Sequence, residues 1–118
     1  MDKEQYEQIL SELNYYQKLL EDIDKRIVNL RQTKQDLLDF EKEEGDDFLA
    51  SIAAGVFVES KLKNKDLFVN VGSDVVVKKS VAEVIDLIDK KEKLFLEDHK
   101  KISRTLEEYY SLLEKKGD

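Results

Sequence analysis

The sequence predicts an α+β protein: a long antiparallel two-helix coiled coil with two small β hairpins inserted at its base. Two observations carry this. Each flank holds a single apolar stripe with helical spacing, and the middle alternates apolar and charged residues around glycine-bearing turns. The composition agrees, since charged residues make up 40% of the 118 residues and apolar ones 41%, with no proline or tryptophan. One module over 1–118 is expected, with a first helix over 4–44, hairpins over 49–79 and a second helix over 81–116.

In the first helix the apolar positions step by threes and fours through Tyr6, Ile9, Leu13, Tyr16, Leu20, Ile23, Ile27 and Leu30. The stripe then meets Lys34 and resumes at Leu37. Such spacing, sustained over several heptads, marks a coiled-coil seam. Asp2 with Gln5 reads as the N-terminal cap, and Gly45 as the C′ residue. The second helix opens on Ser80 with Glu83, a capping box, and Gly117 reads as its stop. Its seam is Val81, Ile85, Ile88, Glu92, Phe95, His99, Ile102, Leu106, Tyr109 and Leu113.

Each stripe is too narrow for a helix buried in a globule and must meet another stripe. In an antiparallel hairpin, facing residues keep a constant sum of residue numbers. One register then places Glu44 by Val81, Leu37 by Ile88, Leu30 by Phe95, Ile23 by Ile102 and Tyr16 by Tyr109. The interleaved layers pair Ile27 with His99, Leu20 with Leu106 and Leu13 with Leu113. They also bring Lys34, the cation of one seam, to Glu92, the anion of the other. That pair is expected to pin register more than to add stability, because slippage would leave each charge against a hydrophobe.

Four β stretches lie between the helices: Leu49–Ile52, Val56–Leu62, Leu67–Val71 and Val75–Lys79. The links Ala53-Ala54-Gly55, Lys63-Asn64-Lys65-Asp66 and Gly72-Ser73-Asp74 are short and polar or glycine-bearing, so consecutive strands should pair antiparallel. A small sheet with one apolar face and open edges follows. Such a sheet is marginal alone and recruits further strands. Val56, Phe57, Val58, Leu62, Leu67, Phe68, Val69, Val71, Val75 and Val77 are therefore the candidate oligomerisation platform.

Several functions are disfavoured. A net charge of −7 does not suit a nucleic-acid surface. With no cysteine and one histidine, zinc and thiol chemistry lack ligands, so no metal or cofactor is expected. There is no glycine-rich phosphate loop and no nucleophile–base set, so no catalytic residues are assigned and no enzyme is expected. No run approaches membrane length and no signal peptide is evident, which makes a cytoplasmic protein the default.

The run AGVFVESKL, a polar link, then LFVNVGSDVVVKKS leading into an acidic amphipathic helix resembles the α-class subunit of prefoldin, an archaeal and eukaryotic co-chaperone. Ala54 to Val84 carries the most specific part of the likeness. Two hairpins rather than one are the α-class pattern. The chain departs from the family in lacking a proline before the first glycine, in its Gly72-Ser73-Asp74 turn and in rather short arms. The resemblance implies a hetero-hexamer with β-class subunits, two α with four β, whose hairpins form the platform. It further implies that the coiled-coil tips hold unfolded client proteins without ATP and pass them to a group II chaperonin. The tip here would comprise Tyr6, Ile9, Leu10, Leu13, Tyr109, Tyr110, Leu112 and Leu113. Leu10, Tyr15, Tyr110 and Leu112 fall outside the seam and are expected to be exposed. A self-assembling coiled-coil scaffold or filament subunit without client binding is the alternative.

Overall fold

The computed structural model describes residues 2–116, so the expected stop at Gly117 lies outside the described residues. The elements in order are α1 (Lys3–Lys42), β1 (Asp47–Ala53), β2 (Val56–Lys61), β3 (Leu67–Asn70), β4 (Val76–Lys79) and α2 (Val81–Lys116). Two compact units result. One comprises Met1–Gln32 with Asp89–Asp118, the other Thr33–Ile88.

Both expected N-caps are present and reciprocal. The Asp2 carboxylate accepts the Gln5 N–H at 2.8 Å while the Gln5 side-chain oxygen accepts the Asp2 N–H at 3.3 Å. At α2, Ser80 Oγ accepts the Glu83 N–H at 3.1 Å and the Glu83 carboxylate accepts the Ser80 N–H at 3.0 Å. Each box satisfies backbone donors that the first turn leaves without partners. The bond from the Ser80 backbone holds the Glu83 carboxyl below its ordinary value, with the Ser80 hydroxyl contributing.

In the first unit α1 and α2 run antiparallel. Tyr16 stacks on Tyr109 with ring centroids 5.9 Å apart, as the register requires. Partners climb one helix as they descend the other: Tyr109 bonds to Glu12, His99 to Asp24, and Arg31 to Glu92. Leu13, Ile23 and Ile27 are buried, and the other seam residues of this unit are half-buried except Tyr6. Burying such a side chain fully is worth about 1.5–3 kcal/mol, so the seam is the main source of cohesion here.

In the second unit β1 pairs antiparallel with β2, and β3 with β4, as two separate two-stranded sheets. This corrects the expectation of one small sheet. Ala54 and Gly55 form a tight turn, with Gly55 at φ 77, and the register shifts between Ser51 and Ala53, leaving Ile52 as a bulge. The first hairpin also departs from the single apolar face expected. Leu49 and Phe57 project on one side, Phe48 and Val58 on the other, and all four are exposed. The second hairpin does alternate, with Leu67, Val69, Val77 and Lys79 half-buried while Phe68, Asn70, Val76 and Lys78 face out. Its loop sets Gly72, Ser73 and Asp74 at φ 115, 48 and 60, and Asn70 Oδ1 accepts the Gly72 N–H at 2.9 Å.

Helix α1 ends at Lys42, before the expected 44, and Gly45 at φ 90 lies beyond the position foreseen for it. The end is held instead by Lys65, whose ammonium donates to the carbonyls of Phe40, Glu41 and Glu43 at 2.9, 2.7 and 2.6 Å. A cation placed there also complements the negative end of the helix dipole. Glu44 is exposed and outside the helix, so it does not extend the seam. Val81 and Ile88 are this unit's buried hydrophobes.

Candidate interaction surfaces

Exposed apolar side chains gather at two places, besides single ones such as Val28 and Leu94 along the helices. The first is the end of the two-helix unit near both termini. There the helical period turns Ile9, Leu13, Tyr109 and Leu113 inward, half-buried or buried. Leu10, Tyr110 and Leu112 point elsewhere and remain 42%, 45% and 43% exposed, and the seam residue Tyr6 is exposed as well. Tyr15 is exposed while its ring meets that of Tyr16 edge-on, with centroids 5.3 Å apart.

Polar contacts that the seam pattern does not encode position these tyrosines. The Tyr109 hydroxyl donates to the Glu12 carboxylate, and Gln17 Nε2 donates to the Tyr110 hydroxyl. The carboxylate favours the protonated phenol, which pushes Tyr109 up to about 12. Each contact joins α1 to α2, so Tyr109 and Tyr110 are oriented by the opposite helix rather than by their own.

Glu92 has a partner that the seam pattern did not name. Arg31 Nε lies 2.8 Å from its Oε1, with Arg31 on the exposed flank and Glu92 mostly covered. Lys34, the partner expected within the seam, is half-buried. The fork of Arg reaches a seam carboxylate from outside the seam, which a search restricted to seam positions overlooks. His99 is also engaged: its Nε2 lies 3.1 Å from Asp24 Oδ1, and its Nδ1 3.5 Å from Ser103 Oγ. Among the described residues no group of His, Cys, Asp and Glu could hold a metal ion.

The second surface is the pair of hairpins. Val56, Phe57, Val58, Phe68, Val71 and Val75 are exposed, Phe57 at 57% and Phe68 at 71%. Leu62, Leu67, Val69 and Val77 are half-buried. Phe48, Leu49, Ile52 and Val76, outside the expected platform set, are also exposed. The acidic stretch before Phe48 concealed a longer β1, and Val76, opposite Asn70, alternates onto the same outer face as Phe68.

Exposed apolar strands of this kind, in sequence between two long helices with one apolar seam each, leave edges open to pairing. The profile of the prefoldin subunit family matches residues 9–116. The prefoldin subunit alpha of Methanosphaera stadtmanae is 35% identical over 89 residues, covering 70% of this chain and 64% of its own length. That of Thermofilum pendens is 28% identical over 86 residues, covering 72% and 62%. The chain thus spans somewhat less than two thirds of these curated relatives. Among solved structures, filamentous PFD from Methanocaldococcus jannaschii superposes with a TM-score of 0.79 at 20% identity, covering 97% of this chain and 96% of that one. The chain belongs to the prefoldin subunit family, in its α class. No described helix is long and apolar enough to cross a membrane.

Proposed function

We propose that the chain is an ATP-independent co-chaperone subunit that holds unfolded proteins at the end of its two-helix unit. The observation that carries this reading is the exposure of Leu10, Tyr110 and Leu112 outside the seam. A coiled coil needs none of them for cohesion, and exposed apolar and aromatic groups suit adaptable, partly wet contacts. Family membership supplies the rest of the reading. The hairpins join those of β-class subunits in a hexamer of two α and four β chains, and clients pass to a group II chaperonin in the cytoplasm. Several such ends on one body would strengthen weak contacts through effective concentration. The test is aggregation of a denatured protein followed by light scattering, with wild type against a triple variant Leu10→Ser, Tyr110→Ser, Leu112→Ser. The variant should suppress aggregation poorly at unchanged helicity. Equal suppression refutes the reading.

A second reading is a self-assembling scaffold. The exposed Phe57 and Phe68 are compatible with homotypic closure, and the structural neighbour is described as filamentous. Native mass spectrometry and negative-stain microscopy of the chain alone, then with a β-class subunit, separate the two. Fibres from the chain alone that do not suppress aggregation favour the scaffold.

A further inference from the structure

We infer that the Leu10–Tyr110 edge selects extended client segments that alternate apolar and cationic residues. The inference rests on the proposed role of this end in holding clients and adds the chemical class it prefers.

Gln17 shares a helix face with Leu10, two turns along, and its side chain bonds to Tyr110. Leu10 and Tyr110 therefore lie along one edge of the two-helix unit, both exposed. Side chains three or four positions away on a helix are surface neighbours. By that rule Glu7 adjoins Leu10, while Glu107 and Glu114 flank Tyr110 on either side. All three glutamates are exposed, and no ion pair among the described residues engages them. Lys3 is the one described cation on this edge near the end. Leu112 lies differently, between Glu108 and Lys115, and carries no such bias.

Tyr16 stacks on Tyr109, so Tyr110 lies at about the level of Tyr15, five residues and roughly 7 Å along the axis from Leu10. That is about two residues of extended chain, the spacing at which an alternating segment keeps both apolar side chains on one face. An extended segment seats its apolar side chains on Leu10 and Tyr110 and carries its cations at the alternate positions, within about a Debye length of the flanking carboxylates. An anionic segment of the same apolarity meets like charge instead, and electrostatic complementarity discriminates by such penalties as much as by attraction.

The test uses the full chain in its native assembly and two labelled peptides of identical apolar residues, with lysine or glutamate between them, read by fluorescence anisotropy. The lysine peptide should bind about tenfold tighter at low salt, with the difference collapsing near 1 M salt as charges are screened. A Glu7→Gln, Glu107→Gln, Glu114→Gln variant should bind both peptides alike while keeping aggregation suppression for neutral clients. Equal binding of the two peptides by wild type, or a preference that survives in the glutamine variant, overturns the charge selection and leaves client holding intact. If neither peptide binds and Leu10→Ser with Tyr110→Ser leaves aggregation suppression unchanged, the client-holding reading fails and this inference with it.

Discussion

The Lys65 ammonium lies 2.9 Å from the Phe40 carbonyl oxygen and 5.5 Å from the centre of the Phe40 ring. One side chain from the link between the hairpins thus closes the end of α1, bonding three carbonyls and resting on an aromatic face. The hairpins and this helix end share the second unit, and Lys65 is a polar tie between them.

Lys65→Met keeps the aliphatic stem and removes the donor. It should cost roughly 1 kcal/mol, the scale of a partly solvated charged hydrogen bond. Amide exchange should quicken in the last turn of α1 and not at Leu13 or Ile23. Uniform protection throughout would refute the capping role.

Tyr109 and Glu12 make an alkaline prediction. The tyrosine is raised from 10.0 to about 12 in the folded chain. A group raised on folding contributes stability that is complete below its unfolded value and lost as pH climbs through its folded value. The contribution should therefore fade between pH 10 and about 12. Tyrosinate absorbance should show a late phase near pH 12 that Glu12→Gln removes.

Ser80 and Glu83 make the acidic counterpart. Glu83 is lowered from 4.5 by bonds to Ser80, so its contribution is present above that value and lost as pH falls through the lower folded one. Ser80→Ala should destabilise by about 1 kcal/mol at neutral pH. Ser80→Ala keeps the backbone donor to Glu83, so the pH dependence belongs to Glu83→Ala, whose deficit relative to wild type should shrink on acidification, as followed by circular dichroism during urea unfolding.

Arg31 and Glu92 should behave asymmetrically. Arg31→Ala removes a charged hydrogen bond from a mostly covered carboxylate and should cost about 1–2 kcal/mol. Glu92→Leu fills the seam with apolar volume and should be neutral or stabilising. Its penalty should appear in specificity, as alternative registers detected by cross-linking. Equal losses in both variants would contradict this.

The seams were legible because helical period is a local property: three- and four-residue steps put Leu13, Ile23 and Ile27 on one face wherever the helix goes. The capping boxes were legible for the same reason, since Asp2 with Gln5 and Ser80 with Glu83 act within one turn. Exposure of Leu10, Tyr110 and Leu112 followed from their absence from the stripe. The hairpins were partly legible. Turn chemistry located both of them, but the bulge at Ile52 and the start of β1 at Asp47 depend on the partner strand.

The amino-acid sequence by itself determined two capped amphipathic helices, two hairpins and the antiparallel sense of the seam, because periodicity, caps and turns act over a few residues. Tertiary structure alone decided that Lys65 closes α1, that Arg31 reaches Glu92, that Glu12 holds Tyr109 and that the four strands form two sheets. Each of these brings together groups distant in the chain. Which donor reaches which acceptor is then set by the packing of the elements and by the length of the side chain, and no local pattern records either.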